Sequence, residues 1–290
     1  MSTRLGTMKI KIITDSTNDL GRDLLEQLNI DVIPLTVNFD EESYLDSVEI
    51  TTKELYEKVE AKGQLPKTAA VPIQKFIDVF EKYINEGYEI VYTGISKSLS
   101  RTFENAFFAA QEVNSEKIHL VDSMNLSTGI GLLLMKACKY RDQGMSGAEI
   151  KERLESDREN VKSQFAIETM EYLHKGGRCS GVTRFVGSLL KLKPIIQVRD
   201  GKMGVGKLPR GKMTIALNAL VKQLEEDLPK LDKDVVIITH SLASEYADYI
   251  KEKISDFLGD IPVICTQAGC VISSHCGKGT VGILYMVNGD

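Results

Sequence analysis

The chain has 290 residues, 42% of them hydrophobic, and a formal net charge of -5. That length suits two domains around a sizeable core. The negative balance, with cations spread along the chain except for a cluster across 175–212, argues against nucleic acid as a partner. No apolar run reaches the ~20 residues needed to span a bilayer. The first residues carry no signal-type stretch, and Met8 is a candidate original start. The five cysteines, Cys138, Cys179, Cys265, Cys270 and Cys276, form no paired framework, which points to a reducing cytoplasm. Cys265, Cys270 and Cys276 lack a C-x-x-C pair, so they read as core thiols, and no metal or cofactor is expected.

In chain order, residues 9–13 read as a strand, after which Ser16 or Thr17 caps a helix carrying Leu20, Leu24, Leu25 and Leu28. A strand is expected over 32–37, helices over 51–61 and 74–85, and a strand over 89–92. A helix over 100–113 carries Phe103, Phe107 and Phe108, and a strand over 118–121 comes next. Further helices are expected over 123–140 and 146–157. Strands alternating with helices predict a mostly parallel α/β domain whose ligand groups gather at the carboxyl ends of strands. Asp15, residues 94–100 and Asp122 all fall at such ends.

After about residue 160 the rhythm changes. A strand over 165–167 and a helix over 184–192 precede paired strands over 194–198 and 201–208, with a turn at Asp200-Gly201. A helix over 212–227, a strand over 235–239, a helix over 244–257 and strands over 263–265 and 281–287 follow. The expected architecture is therefore α/β with two domains. Residues 1–160 hold the mostly parallel sheet and 161–290 a mixed or antiparallel sheet with helices.

Two segments stand out chemically. In Glu171–Gly181 paired glycines lie between Lys175 and Arg178, which permits a tight turn and exposes backbone N–H groups beside cations. Such a loop suits a phosphate or carboxylate, or simply joins two elements. The segment 127–140 is apolar on several faces, with Ile130, Leu132, Leu133, Leu134 and Met135, and a helix of that kind is buried. Core packing explains it, and so does the wall of a long-chain ligand formed with Phe103, Phe107, Leu189 and Leu190.

Taken in order, six motifs resemble one family. They are Ile12-Ile13-Thr14-Asp15-Ser16-Thr17-Asn18-Asp19-Leu20; Pro66-Lys67-Thr68; Ile95-Ser96-Lys97-Ser98-Leu99-Ser100-Arg101-Thr102; and Val121-Asp122-Ser123, with Ser127 and Gly129 beyond it. Lys175-Gly176-Gly177-Arg178-Cys179-Ser180 and Ser274-His275-Cys276-Gly277-Lys278-Gly279-Thr280-Val281-Gly282 complete the set. The order and spacing resemble the DegV family of bacterial fatty-acid-binding proteins over nearly the whole chain.

The resemblance implies a long-chain fatty acid, palmitate for example, held in a tunnel between the two domains. It also implies a non-catalytic role as acyl carrier for phospholipid metabolism, presenting the carboxyl group to a separate fatty-acid kinase that forms the acyl-phosphate. Membrane contact is at most transient. Thr68 and Ser100 match the hydroxyls that bind the carboxylate, and Phe103, Phe107, Ile130, Leu134, Leu189 and Leu190 are candidate tunnel residues. Arg178 and His275 match positions near the tunnel mouth, for contact with the kinase or the acyl-phosphate. Arg178 equally suits a salt bridge stabilising the bend, and a lone histidine suits a structural role. Lys207, Arg210 and Lys212 either widen a docking surface or form a solvated face.

Three positions depart from the family pattern. Ala69-Ala70-Val71-Pro72 replaces Ser-Gln-Pro-Ser after Thr68, which removes a second hydroxyl. Arg101 replaces a glycine after Ser100, and Lys278 replaces a proline. Two enzyme readings compete, a hydrolase or a phosphotransferase acting at an Asp15/Ser100/Asp122 strand-end cluster. The chain lacks G-x-S-x-G, and Gly277-Lys278-Gly279-Thr280 lacks the phosphate-loop order. Helix capping is the competing role for Asp15 and Asp122.

Overall fold

The first strand sets the layering of the first half, because its isoleucines alternate: Ile10 and Ile12 enter one core, Ile13 another. The computed structural model describes residues 9–181 and 192–289. Met8, residues 184–191 of the helix expected over 184–192 and the tunnel candidates Leu189 and Leu190 lie outside the described residues, and Leu192 forms an isolated antiparallel bridge with Arg210.

In chain order the first half contains β1 (Lys9–Asp15), α1 (Arg22–Gln27), β2 (Ile30–Ile33), β3 (Thr36–Phe39), β4 (Glu42–Leu45), α2 (Thr52–Lys62) and β5 (Lys67–Ala69). It continues through α3 (Ile73–Asn85), β6 (Tyr88–Gly94), α4 (Thr102–Val113), β7 (Ile118–Asp122), α5 (Thr128–Asp142) and α6 (Gly147–Asp157). The second half contains β8 (Val161–Ala166), α7 (Glu171–Gly176), β9 (Cys179–Ser180), β10 (Ile195–Arg199), β11 (Lys202–Val205) and α8 (Met213–Asp227). It ends with β12 (Leu231–His240), α9 (Ser244–Leu258), β13 (Val263–Gln267), α10 (Cys270–Cys276) and β14 (Val281–Val287).

Four strands pair in parallel in the order β2-β1-β6-β7, and β4-β3-β5 form a small antiparallel sheet. The second half builds a mixed sheet of seven strands, β13-β12-β14-β8-β10-β11-β9. The protein is thus α/β, with a parallel sheet followed by a mixed one. Among the described residues, no helix is long and apolar enough to cross a membrane.

Helix spacing explains the outer layers. Phe76, Phe80 and Tyr83 recur on one face of α3 and pack with Ala106 and Ala109 of α4 against Ile13, Ile90 and Tyr92. Helices α8 and α9 cover the outer face of the mixed sheet with Leu217, Leu220, Leu224, Ile250 and Ile254. Helix α5 has a sheet on either side. Ile130, Leu133 and Leu134 share one core with Ile12, Val91 and Val121 of the parallel sheet and with Phe165, Ile237 and Leu284 of the mixed one. That double burial is why its sequence is apolar all round. Gly129 fits because a Cβ there would lie 2.1 Å from Asn125 Oδ1.

Three expectations change in detail. The strand expected over 32–37 is two strands in different sheets, divided at Pro34-Leu35, where proline supplies no N–H to continue a ladder. Ser16 and Thr17 lie in a 3-10 turn capped by Asp15, and α1 starts after Gly21. Helix α5 starts at Thr128, because the Ser123 hydroxyl accepts from Asn125 N–H at 3.0 Å and holds a turn ahead of it.

Candidate functional site

Helix α7 ends where Gly177 takes φ 67°, and the next residue, Arg178, folds back so that its guanidinium donates to the Gly176 carbonyl. A cation there complements the partial negative charge of a helix end. Among the described residues Arg178 has no ion-pair partner. Gly176 lies against His275 of α10, since a Cβ at Gly176 would stand 2.6 Å from His275 Nδ1.

Residues of the first half seat α10. Asp19 Oδ1 accepts from Gly269 N–H at 2.8 Å, Asp46 Oδ1 from Cys270 N–H at 2.7 Å, and the Thr52 hydroxyl donates to the Ala268 carbonyl at 2.7 Å. The two carboxyl groups thus serve the backbone amides at the helix start. Burial raises both; Asp19, with Ser127 on its other oxygen, is pushed up to about 8.

The far end of α10 places His275 Nε2 at 2.8 Å from the Thr68 hydroxyl on β5. Burial, and then the Arg178 charge, lower His275 to about 4, so the imidazole is neutral at pH 7. Its Nδ1 is buried without a partner. Ser100 lies in the turn before α4, where its oxygen accepts from Thr102 N–H at 3.2 Å and stands 2.9 Å from the Thr102 hydroxyl.

These groups meet at one cavity of about 250 Å³. Thr68, Ser100, Arg178 and His275 all line it, and its apolar walls include Leu35, Ile95, Leu99, Leu126, Val271 and Ile272. A narrower void of about 20 Å³ shares Leu126, Ile272 and Cys276 and runs on to Phe165, Gly282 and Leu284 of the mixed sheet. Arg101 also lines the cavity, although its Nε donates to Glu104 at 3.0 Å.

The other expected tunnel residues lie elsewhere. Phe103 stacks on Tyr92 in the core under α3 and α4, 6.5 Å between ring centroids. Phe107 is 48% exposed beside Phe108. Ile130 and Leu134 are wholly buried in the core between the sheets. None of these four is among the residues lining the cavity.

The strand-end cluster does not converge. Asp15 is fully buried and its oxygens accept from Thr17 N–H, the Thr17 and Tyr92 hydroxyls and Ile95 N–H, so it fastens β1 to the end of β6. Asp122 accepts from Lys97 and Met124 N–H. Only Ser100 of the three reaches the cavity. Sequence reasoning missed α10 itself, with Val271, Ile272 and Cys276, and missed Leu35 and Leu126. A helix of seven residues is too short to show a period, and only the apolar pair Val271-Ile272 hinted at a wall.

An apolar cavity whose lining also carries two hydroxyls, a neutral imidazole and a guanidinium, in an α/β protein of three sheets, has the make-up of a small-molecule pocket. The chain belongs to the DegV family: the family model described as "uncharacterised protein, DegV family" matches residues 9–288. A DegV domain-containing protein of Clostridium perfringens is 33% identical over 278 residues, covering 96% of this chain and 98% of the relative. The DegV family protein of Thermus thermophilus, described for its fatty acid binding, superposes with TM-score 0.88 at 29% identity, covering 97% of this chain and 100% of its own. DegV of Bacillus subtilis, a fatty acid binding protein, gives TM-score 0.85 at 28% identity over 97% and 100% of the two chains.

Proposed function

We propose that the protein binds a long-chain fatty acid of the palmitate class, its carboxylate at Thr68 and Ser100 and its chain along the cavity toward Phe165 and Leu284. The observation that carries this is one cavity lined by Thr68, Ser100, His275 and Arg178 together with aliphatic side chains, with a narrower apolar void sharing Leu126, Ile272 and Cys276. Similar solved proteins named for fatty-acid binding support the same ligand class. Residues 1–160 supply both hydroxyls, and residues 161–290 supply His275, Arg178 and one wall of the channel.

The physical division of labour follows. About fifteen methylenes at ~0.8 kcal/mol each contribute on the order of 12 kcal/mol before ordering costs, so the channel supplies affinity. The head group is oriented by hydrogen bonds. If the Nε2–H of His275 donates to the Thr68 oxygen, the Thr68 proton is free for the ligand. Likewise, if the Thr102 hydroxyl joins the Thr102 N–H in donating to the Ser100 oxygen, the Ser100 proton is free. Neutral donors leave the carboxylate nucleophilic toward a phosphate.

The protein's role on this reading is that of a non-catalytic carrier that presents the carboxyl group to a separate fatty-acid kinase. Arg178 and Arg101 at the mouth suit the growing negative charge of an acyl-phosphate, and the exposed Lys207, Arg210 and Lys212 suit kinase docking. Five free thiols fit a reducing cytoplasm. The test is mass spectrometry of the purified protein, native and after denaturing extraction. A stoichiometric long-chain acid released on denaturation supports the reading. No lipid, with no uptake of added palmitate, refutes it.

A further inference from the structure

The β10–β11 hairpin borders two cavities. Met203 lines the acyl cavity, whereas Arg199 and Asp200 line a separate crevice of about 430 Å³. The crevice opens where β10 leaves β8. Only Ile195–Gln197 pair with Ala166–Gln164, and beyond them the hairpin reaches to the first half, where the Ser96 hydroxyl donates to the Gly201 carbonyl at 2.8 Å.

Gln164 lines this crevice, is 5% exposed, and its carboxamide nitrogen has no hydrogen-bond partner. Arg158 lines it too. Its Nη1 donates to the Asp122 carbonyl at 3.0 Å, but its buried Nε has no hydrogen-bond acceptor. Buried donors are rarely left unpaired, because desolvation goes uncompensated. Two of them on one crevice, with Lys162 and Arg199 adding positive charge, complement an acceptor-rich anion.

The carboxylates present do not fill that role. Asp227 Oδ2 accepts from the Tyr285 hydroxyl at 2.6 Å, and Asp200 is exposed at the hairpin turn. Glu159 Oε1 stands 3.6 Å from Arg158 Nε, beyond hydrogen-bond reach, on a side chain 58% exposed.

We propose that the crevice binds a small ligand through an oxyanion, phosphate or carboxylate, held by Gln164 and Arg158 with Arg199 closing from the hairpin. The site is separate from the acyl cavity and stands whether or not that cavity holds a lipid. It also offers a reason to keep Gln164 where a leucine would pack without an unpaired amide.

The test is isotope-edited NMR of the full chain, following the Gln164 carboxamide NH₂ signals during titration with inorganic phosphate or acetate at constant ionic strength. A saturable shift is expected. Phosphate acting alone assigns a phosphomonoester-type ligand; acetate acting equally assigns a carboxylate. Isothermal titration on Arg199→Ala and Gln164→Leu should show binding weakened about tenfold or more, the loss of a charge-assisted or buried hydrogen bond. Gln164→Leu should also raise the melting temperature without ligand, which shows that the variant is folded. A Gln164 signal unmoved by either anion, one moved equally by chloride, or unchanged binding in both variants overturns the proposal.

Discussion

The Thr68 hydroxyl and His275 Nε2 stand 2.8 Å apart, joining residues 207 positions apart in the chain. One sits on β5 of the small sheet, the other at the end of α10. With the imidazole held neutral, a ring that carries its proton on Nε2 donates to Thr68 and frees the threonine proton. The other tautomer consumes that proton. On the proposed reading, a bound carboxylate would select the Nε2–H form, and His275 would orient the head group by acting through Thr68.

Thr68→Val and Ser100→Ala each remove one hydrogen bond to an anion while keeping the local packing volume close to native. At about 1.5–3 kcal/mol per charge-assisted bond, each lowers fatty-acid affinity roughly ten- to a hundred-fold. Titration of delipidated protein with palmitate measures the change, with circular dichroism as the folding control. Unchanged affinity and unchanged acyl-phosphate formation in the double variant would sink the head-group assignment.

Gly176→Ala drives a methyl group against His275 Nδ1, which an added Cβ would approach to 2.6 Å. Overpacking of this kind costs about 1–3 kcal/mol, and the imidazole must move off Thr68 to relieve it. The affinity loss should resemble that of Thr68→Val. Because both changes break one linkage, the double variant should lose little more than either single variant. Additive losses would show that Gly176 acts independently of the Thr68–His275 contact.

The layers were legible because their signals are long and periodic. The Thr51/Glu54 and Ser146/Glu149 capping boxes mark the starts of α2 and α6, and Phe76, Phe80 and Tyr83 mark the buried face of α3. Thr68 and Ser100 came from ordered motifs. The Asp15 capping role was foreseen, but the roles of Asp19 and Asp46 were not, since each acts across more than 200 positions on the start of α10. Phe107 misled because aromatic residues on a helix read as wall, whereas this one faces outward. No local pattern distinguishes a phenylalanine facing a cavity from one facing solvent.

Ile272→Trp tests the course of the acyl chain. Ile272 lines both the cavity and the narrower void beyond it, so a larger side chain plugs the passage between them. The head-group end is untouched, and short acids such as hexanoate should still bind. Palmitate should lose affinity steeply, since each methylene denied burial forfeits about 0.8 kcal/mol. Titration with acids of increasing length should then show a plateau in affinity at a shorter chain than in the native protein. Parallel profiles for the two proteins would place the chain elsewhere.

Asp19 gives the pH prediction. Burial raises its carboxyl to about 8 in the folded protein, against an unfolded value near 4. Between those values the folded state holds a proton that the unfolded state releases, so this group makes stability fall as pH rises, by up to about 1.4 kcal/mol per pH unit. His275 has the opposite sign: lowered to about 4, it makes stability fall as pH drops through 6.5 toward 4. Above pH 6.5 the His275 effect fades, and the decline from pH 6.5 to 8 belongs to the buried carboxyl groups, with Asp15 and Asp46 raised in the same direction as Asp19. Asp19→Asn keeps the geometry, since its carbonyl can accept from Gly269 N–H and its amide can donate to Ser127. Its melting temperature should change much less than the native protein's over pH 6.5–8. A native melting temperature that rises through the window, or an Asn variant that falls just as steeply, would contradict the assignment.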